Sequence, residues 1–376
     1  EAVSQVGLDV DVREPVMNLS VSQRQMVEIA KALSLNSNVL IMDEPTSALT
    51  KKETGTLFGI IAALKARGIG IIYISHRIEE LRDLGTRVTV MRDGQVVGTR
   101  PIAGTGMAEL VRMMVGKEVK LEARPASADN RNNRPEALRV EGLSQKGKLR
   151  NIGFSLRQGE ILGLFGLMGS GRTELARAIF GVDPIDDGKI FLFGRDARIG
   201  GPKAAIAQGL GFLTEDRLNS GLAMALGVGH NITLPSLASF QRFGLALDAA
   251  RERREADRLI RDFGIKTSGF SQPVRFLSGG NQQKVVLAKW IQADSRILLL
   301  DDPTQGIDVG AKEEVHRFMI DFAHRRNRSV LFISSELPEI IGVSDRILVI
   351  RDGSIVREVM PEEASQELLM GAALGA

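Results

Sequence analysis

Residues 160–181 read EILGLFGLMGSGRTELARAIFG. The first six (160–165) form an apolar run of buried-strand length. Residues 173–181, TELARAIFG, read as a short helix that stops at glycine. A glycine loop between a strand and a helix predicts a phosphate cradle. The backbone N–H groups of Gly169, Ser170, Gly171, Arg172 and Thr173 would face an anion at the helix N-terminus, where the dipole favours negative charge. Gly166 opens the loop, and Thr173 is placed to ligate Mg2+. One position departs from the pattern G-x-x-x-x-G-K-[ST], which wants lysine at 172. Arginine keeps the positive charge there, as a planar fork in place of a compact ammonium. Taken alone, the loop is equally well explained as a structural glycine turn.

The rest of the chain argues against that plainer explanation, because it repeats itself. NLSVSQRQMVEIAKALSLNSNVLIMDEPTSALT (18–50) pairs with FLSGGNQQKVVLAKWIQADSRILLLDDPTQGID (276–308). Ser20 aligns with Ser278 and Asp43 with Asp301, both at an offset of 258. GIIYISHRIEEL (70–81) pairs with SVLFISSELPEI (329–340), and MRDGQVV (91–97) with IRDGSIV (350–356), at an offset of 259. The polar, Arg/Asn/Pro-rich stretch between them predicts a linker over 117–135. A first domain is expected over 1–116 and a second over 136–376. Projected by the same offset, the first domain's own phosphate loop falls before Glu1. The sequence is therefore expected to be a piece of a longer chain, short by roughly 120 residues if the repeats are equal in length.

Composition excludes several classes. The 376 residues are 43% hydrophobic and 25% charged, with a formal net charge of +3, too small an excess to argue for nucleic acid. There is no cysteine, hence no disulfide or thiolate metal site. No stretch approaches the ~18 apolar residues of a membrane helix, and no signal peptide is expected.

In each half an apolar strand ends in two carboxylates, VLIMDE (39–44) and ILLLDD (297–302). The first acid, Asp43 or Asp301, can hold Mg2+. The second, Glu44 or Asp302, can orient or deprotonate an attacking water. A single such strand is as well explained by solvated acids capping a buried strand; two copies at one offset are not. LSGGN (277–281) puts Ser278, Gly279 and Gly280 at the start of a helical run, a second anion site or a plain N-cap. Its counterpart LSVSQ (19–23) keeps Ser20 but has Val21 and Ser22 for the two glycines, so its backbone should approach a phosphate less closely. His76 follows a strand in the first half, where the second half has Ser335.

Together these motifs resemble the ATPase domain of ABC transporters. GRTE, TEDR (214–217), LSGGNQQK, DDPTQGIDVGAK and ISSELPE are similar to the second half of the tandem ATPase subunit of monosaccharide importers of the ribose, galactose and xylose type. LSVSQRQMVEIAKAL with MDEPTSALT resembles its first half, and the likeness spans residues 14–376. It implies an α/β fold of the P-loop NTPase class, with a mixed β-sheet core, a helical subdomain carrying the signature, and a tandem duplication. It also implies two unlike ATP sites formed head to tail. One combines Asp43, Glu44 and His76 with LSGGN and a first loop. The other combines residues 166–173, Glu215, Asp301, Asp302 and Ser335 with LSVSQ. In that second site Arg172 stands for lysine, Asp302 for glutamate, Glu215 for the glutamine that senses the γ-phosphate, and Ser335 for histidine. The expectation is a site that binds ATP and hydrolyses it poorly.

The implied function is ATP- and Mg2+-dependent energising of sugar import. The implied partners are transmembrane permease subunits and, indirectly, a secreted sugar-binding protein, with no nucleic acid. The implied place is the cytoplasmic face of a bacterial inner membrane. A ribosome-associated twin-ABC factor and a non-hydrolysing nucleotide-binding regulator are the competing classes. The first usually has a long charged helical linker and intact motifs in both halves. The second is opposed by Glu44 and His76. No aromatic residue for the adenine ring is found in 138–153, and Phe154 is expected in a strand.

Overall fold

The computed structural model describes residues 6–8, 10–34, 37–43, 45–46, 49, 51–75, 78–92, 95–106, 109–110, 113, 134–167, 169–242 and 246–375. Glu44, His76 and most of the expected linker lie outside them. The chain divides into two compact units, Glu1–Lys120 and Leu121–Ala376.

In the first unit helix α1 (Val21–Ser34) precedes strand β1 (Val39–Asp43), helix α2 (Lys51–Ala66), strand β2 (Gly70–Ile74) and helix α3 (Ile78–Leu84). Strands β3 (Arg87–Arg92) and β4 (Gln95–Pro101) follow. β1 and β2 pair in parallel, and β3 and β4 antiparallel. Met26, Ile29, Leu40, Met42, Leu57 and Ile61 form a core between the helices and one face of β1–β2. The other face is open: Ile41 is 64% and Ile72 52% exposed.

The second unit begins with an antiparallel sheet of β5 (Glu136–Gln145), β6 (Leu149–Arg157), β8 (Asp187–Leu192) and β9 (Arg195–Asp196), in the order β6-β5-β8-β9. Between β6 and β8 along the chain come strand β7 (Ile161–Phe165) and helix α4 (Arg172–Ile179). Helix α5 (Pro202–Ala207) and strand β10 (Leu210–Leu213) follow. A helical stretch then holds α6 (Val228–Thr233), the short strands β11 (Gln241–Arg242) and β12 (Ala246–Leu247), α7 (Ala249–Asp262) and α8 (Gly279–Gln292). The chain closes with β13 (Ile297–Asp301), α9 (Val309–Ile320), β14 (Ser329–Ile333), α10 (Leu337–Val343), β15 (Arg346–Arg351), β16 (Ser354–Val359) and α11 (Gln366–Leu374).

The central sheet has the order β10-β13-β14-β7-β15-β16, parallel except for the last pair. Each residue of β7, β13 and β14 is buried, which explains their unbroken apolar sequences: strands covered on both faces do not alternate. A buried Leu or Ile contributes about 1.5–3 kcal/mol over an exposed one, so β13 alone anchors the sheet strongly. Its carboxyl end delivers Asp301 to the edge where β7 opens into the glycine loop.

The repeat seen in the sequence is kept in register. Val39 pairs with Gly70 and Asp43 with Ile74, as Ile297 pairs with Ser329 and Asp301 with Ile333. Even the irregularity in the last hairpin recurs, between Val90 and Met91 and between Val349 and Ile350.

Candidate nucleotide site

The loop after β7 has the backbone of an anion cradle. Gly169 and Gly171 adopt φ of +79° and +105°, left-handed values that favour glycine, and Gly171 is the N-cap of α4. Gly166 is glycine for packing: a Cβ there would lie 2.4 Å from Ser170 Oγ and 2.5 Å from the Ile350 carbonyl oxygen. The Ser170 carbonyl accepts from Gly353 N–H at 2.9 Å, tying the loop to the β15–β16 turn.

The side chains at this edge form one electrostatic cluster. Arg172 is mostly covered, with Nη2 4.0 Å from Asp302 Oδ2 and a buried Nη1 without a hydrogen-bond partner. Both carboxylate oxygens of Asp301 and the Ser170 hydroxyl are likewise buried with no partner in good hydrogen-bond geometry, although the Thr173 hydroxyl is near enough to Asp301 to favour its charged form. Burial pushes the Asp301 carboxyl up to about 7; the Thr173 hydroxyl and Arg172 oppose this, while Asp302 and Glu215 reinforce it. Glu215 is also raised, first by burial and then by the Asp302 charge, and it accepts from Gln305 Nε2 at 3.4 Å. Buried polar atoms left unpaired are costly and uncommon. Four of them converging on one glycine loop, two oxygens of a carboxylate among them, fit a bound Mg-nucleotide phosphate group.

Asp302 differs from its neighbour. Its φ is +42°, strained for a non-glycine residue. Its Oδ1 accepts from Ser335 N at 2.7 Å and from Ser335 Oγ at 3.0 Å. One oxygen of this carboxylate is thus already engaged, and aspartate is one methylene shorter than the glutamate it stands for.

Loop, Asp301, Asp302, Glu215 and Ser335 are thus brought together. Ser278, Gly279 and Gly280 are not among them; they form the N-terminus of α8. Ser278 accepts from Asn281 Nδ2 at 2.9 Å, and its side chain caps no backbone N–H of the helix. The matching serine in the first unit behaves otherwise. Ser20 Oγ accepts from Gln23 N at 3.2 Å, and Gln23 Oε1 accepts from Ser20 N at 2.9 Å, a reciprocal capping box. Ser22 Oγ lies 3.2 Å from Ser20 Oγ. The first signature therefore caps its own helix start, whereas the Ser278 side chain caps none of the N–H groups that open α8. The two glycines also have an internal cause beyond phosphate approach. A Cβ at Gly279 would lie 2.8 Å from Arg217 Nη2, and one at Gly280 2.8 Å from Ala311 Cβ. Asp43 closes β1 of the first unit, as Asp301 closes β13.

The motifs gave no sign of a buried clamp present in both units. Thr304 Oγ1 donates to Glu339 Oε2 at 2.6 Å, and Ser334 Oγ to the same oxygen at 3.2 Å. Thr46 Oγ1 donates to Glu80 Oε1 at 2.7 Å, and Ser75 Oγ to Glu80 Oε2 at 3.0 Å. These residues match at the repeat offsets, which was the available signal. Each clamp pins the loop after the acidic pair to the helix after the next strand. Burial would raise the Glu339 pKa, but His316, Lys312 and Thr304 outweigh it and hold the carboxyl at about 2. The unfolded chain takes this proton near 4.5, the folded one near 2, so stability falls as pH drops through that window. Glu339→Gln is expected to cost about 3 kcal/mol in urea unfolding at pH 7, and progressively less below pH 4.5. A cost independent of pH would contradict the ionised clamp.

Fold and site together define a P-loop nucleotide-binding cassette. The profile described as ABC transporter matches residues 1–47 and 149–305, and the chain belongs to that family. It is 49% identical over 367 residues to the putative ribose/galactose/methyl galactoside import ATP-binding protein 3 of Burkholderia ambifaria, covering 98% of this chain and 71% of that protein. It is 44% identical over 375 residues to the ribose import ATP-binding protein RbsA of Bacillus subtilis, covering 75% of that protein. Among solved structures, cbiO1 from Clostridium perfringens, part of the ABC transporter complex cbiONQ, superposes with a TM-score of 0.53 at 18% identity. That match covers 63% of this chain and 93% of cbiO1 and supports the fold alone.

Proposed function

We propose that this chain is the ATP-hydrolysing subunit that energises import of a monosaccharide through a membrane permease. The observation that carries the reading is the cluster of unpaired buried groups on the glycine loop, Asp301, Arg172 and Ser170, in a chain nearly half identical to sugar-import ATP-binding proteins. Asp301 and Thr173 would hold Mg2+, which when bound neutralises charge between the terminal phosphates. Magnesium commonly takes only one or two protein carboxylates beside the phosphates. The N–H groups of the loop and Arg172 bind and orient the phosphates. Ser335 holds Asp302 by two hydrogen bonds. Turnover is assigned to the first unit, through Asp43, Glu44 and His76, and Ser278, Gly279 and Gly280 are the stronger signature. The site of the second loop binds ATP with little hydrolysis. Ser20 and Ser22 are the weaker signature.

The place proposed for it is the cytoplasmic face of a bacterial inner membrane, docked on the permease, with an external sugar-binding protein delivering substrate. No helix among the described residues is long and apolar enough to cross a membrane itself. The test is purification of the tagged, complete protein from its own membranes. The expected result is co-purification with a polytopic permease and ATP turnover stimulated by a sugar-loaded binding protein. Recovery with ribosomes and no permease would overturn the reading.

A further inference from the structure

TEDR, residues 214–217, bears on the sequence only as part of a resemblance, with no role for its arginine. In the structure Arg217 bridges the surroundings of the loop site and the signature. Its Nη1 donates to the Gln305 carbonyl at 2.8 Å and its Nη2 to the Gly306 carbonyl at 3.1 Å. Its Nε donates to Gln282 Oε1 at 3.4 Å, on the first turn of α8. The guanidinium fills the space that a Cβ at Gly279 would need. Gln283 Nε2 donates to the Pro303 carbonyl at 2.5 Å, a second tie between α8 and the 303–306 loop. Two residues upstream, Glu215 reaches the same loop through Gln305 Nε2 and feels the charges of Asp302 and Arg172.

The segment from Glu215 to Gly221 is fixed at its far end too. Lys289 of α8 donates to the Gly221 carbonyl at 2.5 Å. Residues 215–221, the 303–306 loop and the start of α8 therefore share one hydrogen-bonded frame. Planar forks suit such work because one side chain addresses several acceptors in fixed directions. Burial disfavours this charge, and the guanidinium meets three acceptors.

We propose that Arg217 is a positioning residue that links phosphate occupancy at Glu215 to the placement of the signature Ser278–Gly279–Gly280 and of the 303–306 loop. A charge arriving beside Glu215 alters the frame at one end, and the guanidinium carries that change to two carbonyls and one helix. A loop site with little turnover thereby gains a role, because its occupancy sets the geometry of the signature. The inference rests on residues 166–173 being an ATP site, as proposed above.

Hydrogen exchange on the full chain, with and without Mg-ATP, separates the two claims. In the unaltered protein Mg-ATP should slow exchange in peptides covering 169–175, and also by about tenfold in 277–283 and 303–308. Arg217→Ala should keep the slowing at 169–175 and lose it at the other two segments. Arg217→Lys should recover part of it, since one ammonium reaches fewer of the three acceptors. Gln305→Ala, at an exposed position, leaves the Arg217 bonds to backbone intact and should weaken slowing at 303–308 only. Full slowing at 277–283 and 303–308 in both Arg217 variants would overturn the strap. Absence of slowing at 169–175 in the unaltered protein would remove the ATP site on which it rests.

Discussion

In the complete transporter, Glu44→Gln should lower ATP turnover by about 10²–10⁴-fold, the usual worth of a general base, while Asp302→Asn should lower it by under about tenfold. The two residues hold equivalent places in the repeat, so equal chemistry would predict equal losses. Several features oppose equality. Asp302 is one methylene shorter, and a misplacement of about 1 Å can cost ~10²-fold. Its Oδ1 already accepts two hydrogen bonds from Ser335, and its backbone sits at φ +42°. Steady-state phosphate release from the two variants in the same membranes measures the asymmetry. Equal losses would show that both sites hydrolyse.

Replacing Arg172 should act on binding instead. The mostly covered guanidinium has a buried, unpartnered Nη1 and only a long contact to Asp302, so it is poised for a phosphate oxygen. A hydrogen bond to a charged group contributes about 1.5–3 kcal/mol, so Arg172→Ala should raise the Kd for Mg-ATP at this loop by about 10–100-fold. Arg172→Lys should stay close to the original affinity, because a compact ammonium also serves a phosphate. Titration with a fluorescent ATP analogue reads both. Unchanged affinity in the alanine variant would mean that the arginine belongs to the Asp302 pair and not to the ligand.

Much of this arrangement was legible from residue order. Unbroken apolar runs such as ILLLD and ILGLF mark strands buried on both faces, and they became β13 and β7. The glycine loop announced itself because glycine is the residue that readily takes the left-handed backbone found at 169 and 171. The matching offsets anticipated the common register of β1–β2 and β13–β14. What stayed hidden depends on distance along the chain. Thr304 and Glu339 are far apart in sequence, and Arg217 meets carbonyl groups, which carry no residue signature. The glycines of LSGGN were legible as a close approach, but not that Arg217 and Ala311 are two of the approaching groups. Only the internal repeat could have revealed the clamp, through Thr46, Ser75 and Glu80 standing where Thr304, Ser334 and Glu339 stand.

The loop at 166–173 is assigned to bind nucleotide without turning it over. One measurement on the purified chain addresses it: equilibrium binding of Mg-ATP followed, in the same sample, by the rate at which the bound ATP becomes ADP. Detectable binding, weakened in Arg172→Ala, is expected, with bound ATP recovered intact over many minutes. Brisk conversion to ADP that Arg172→Ala abolishes would contradict it.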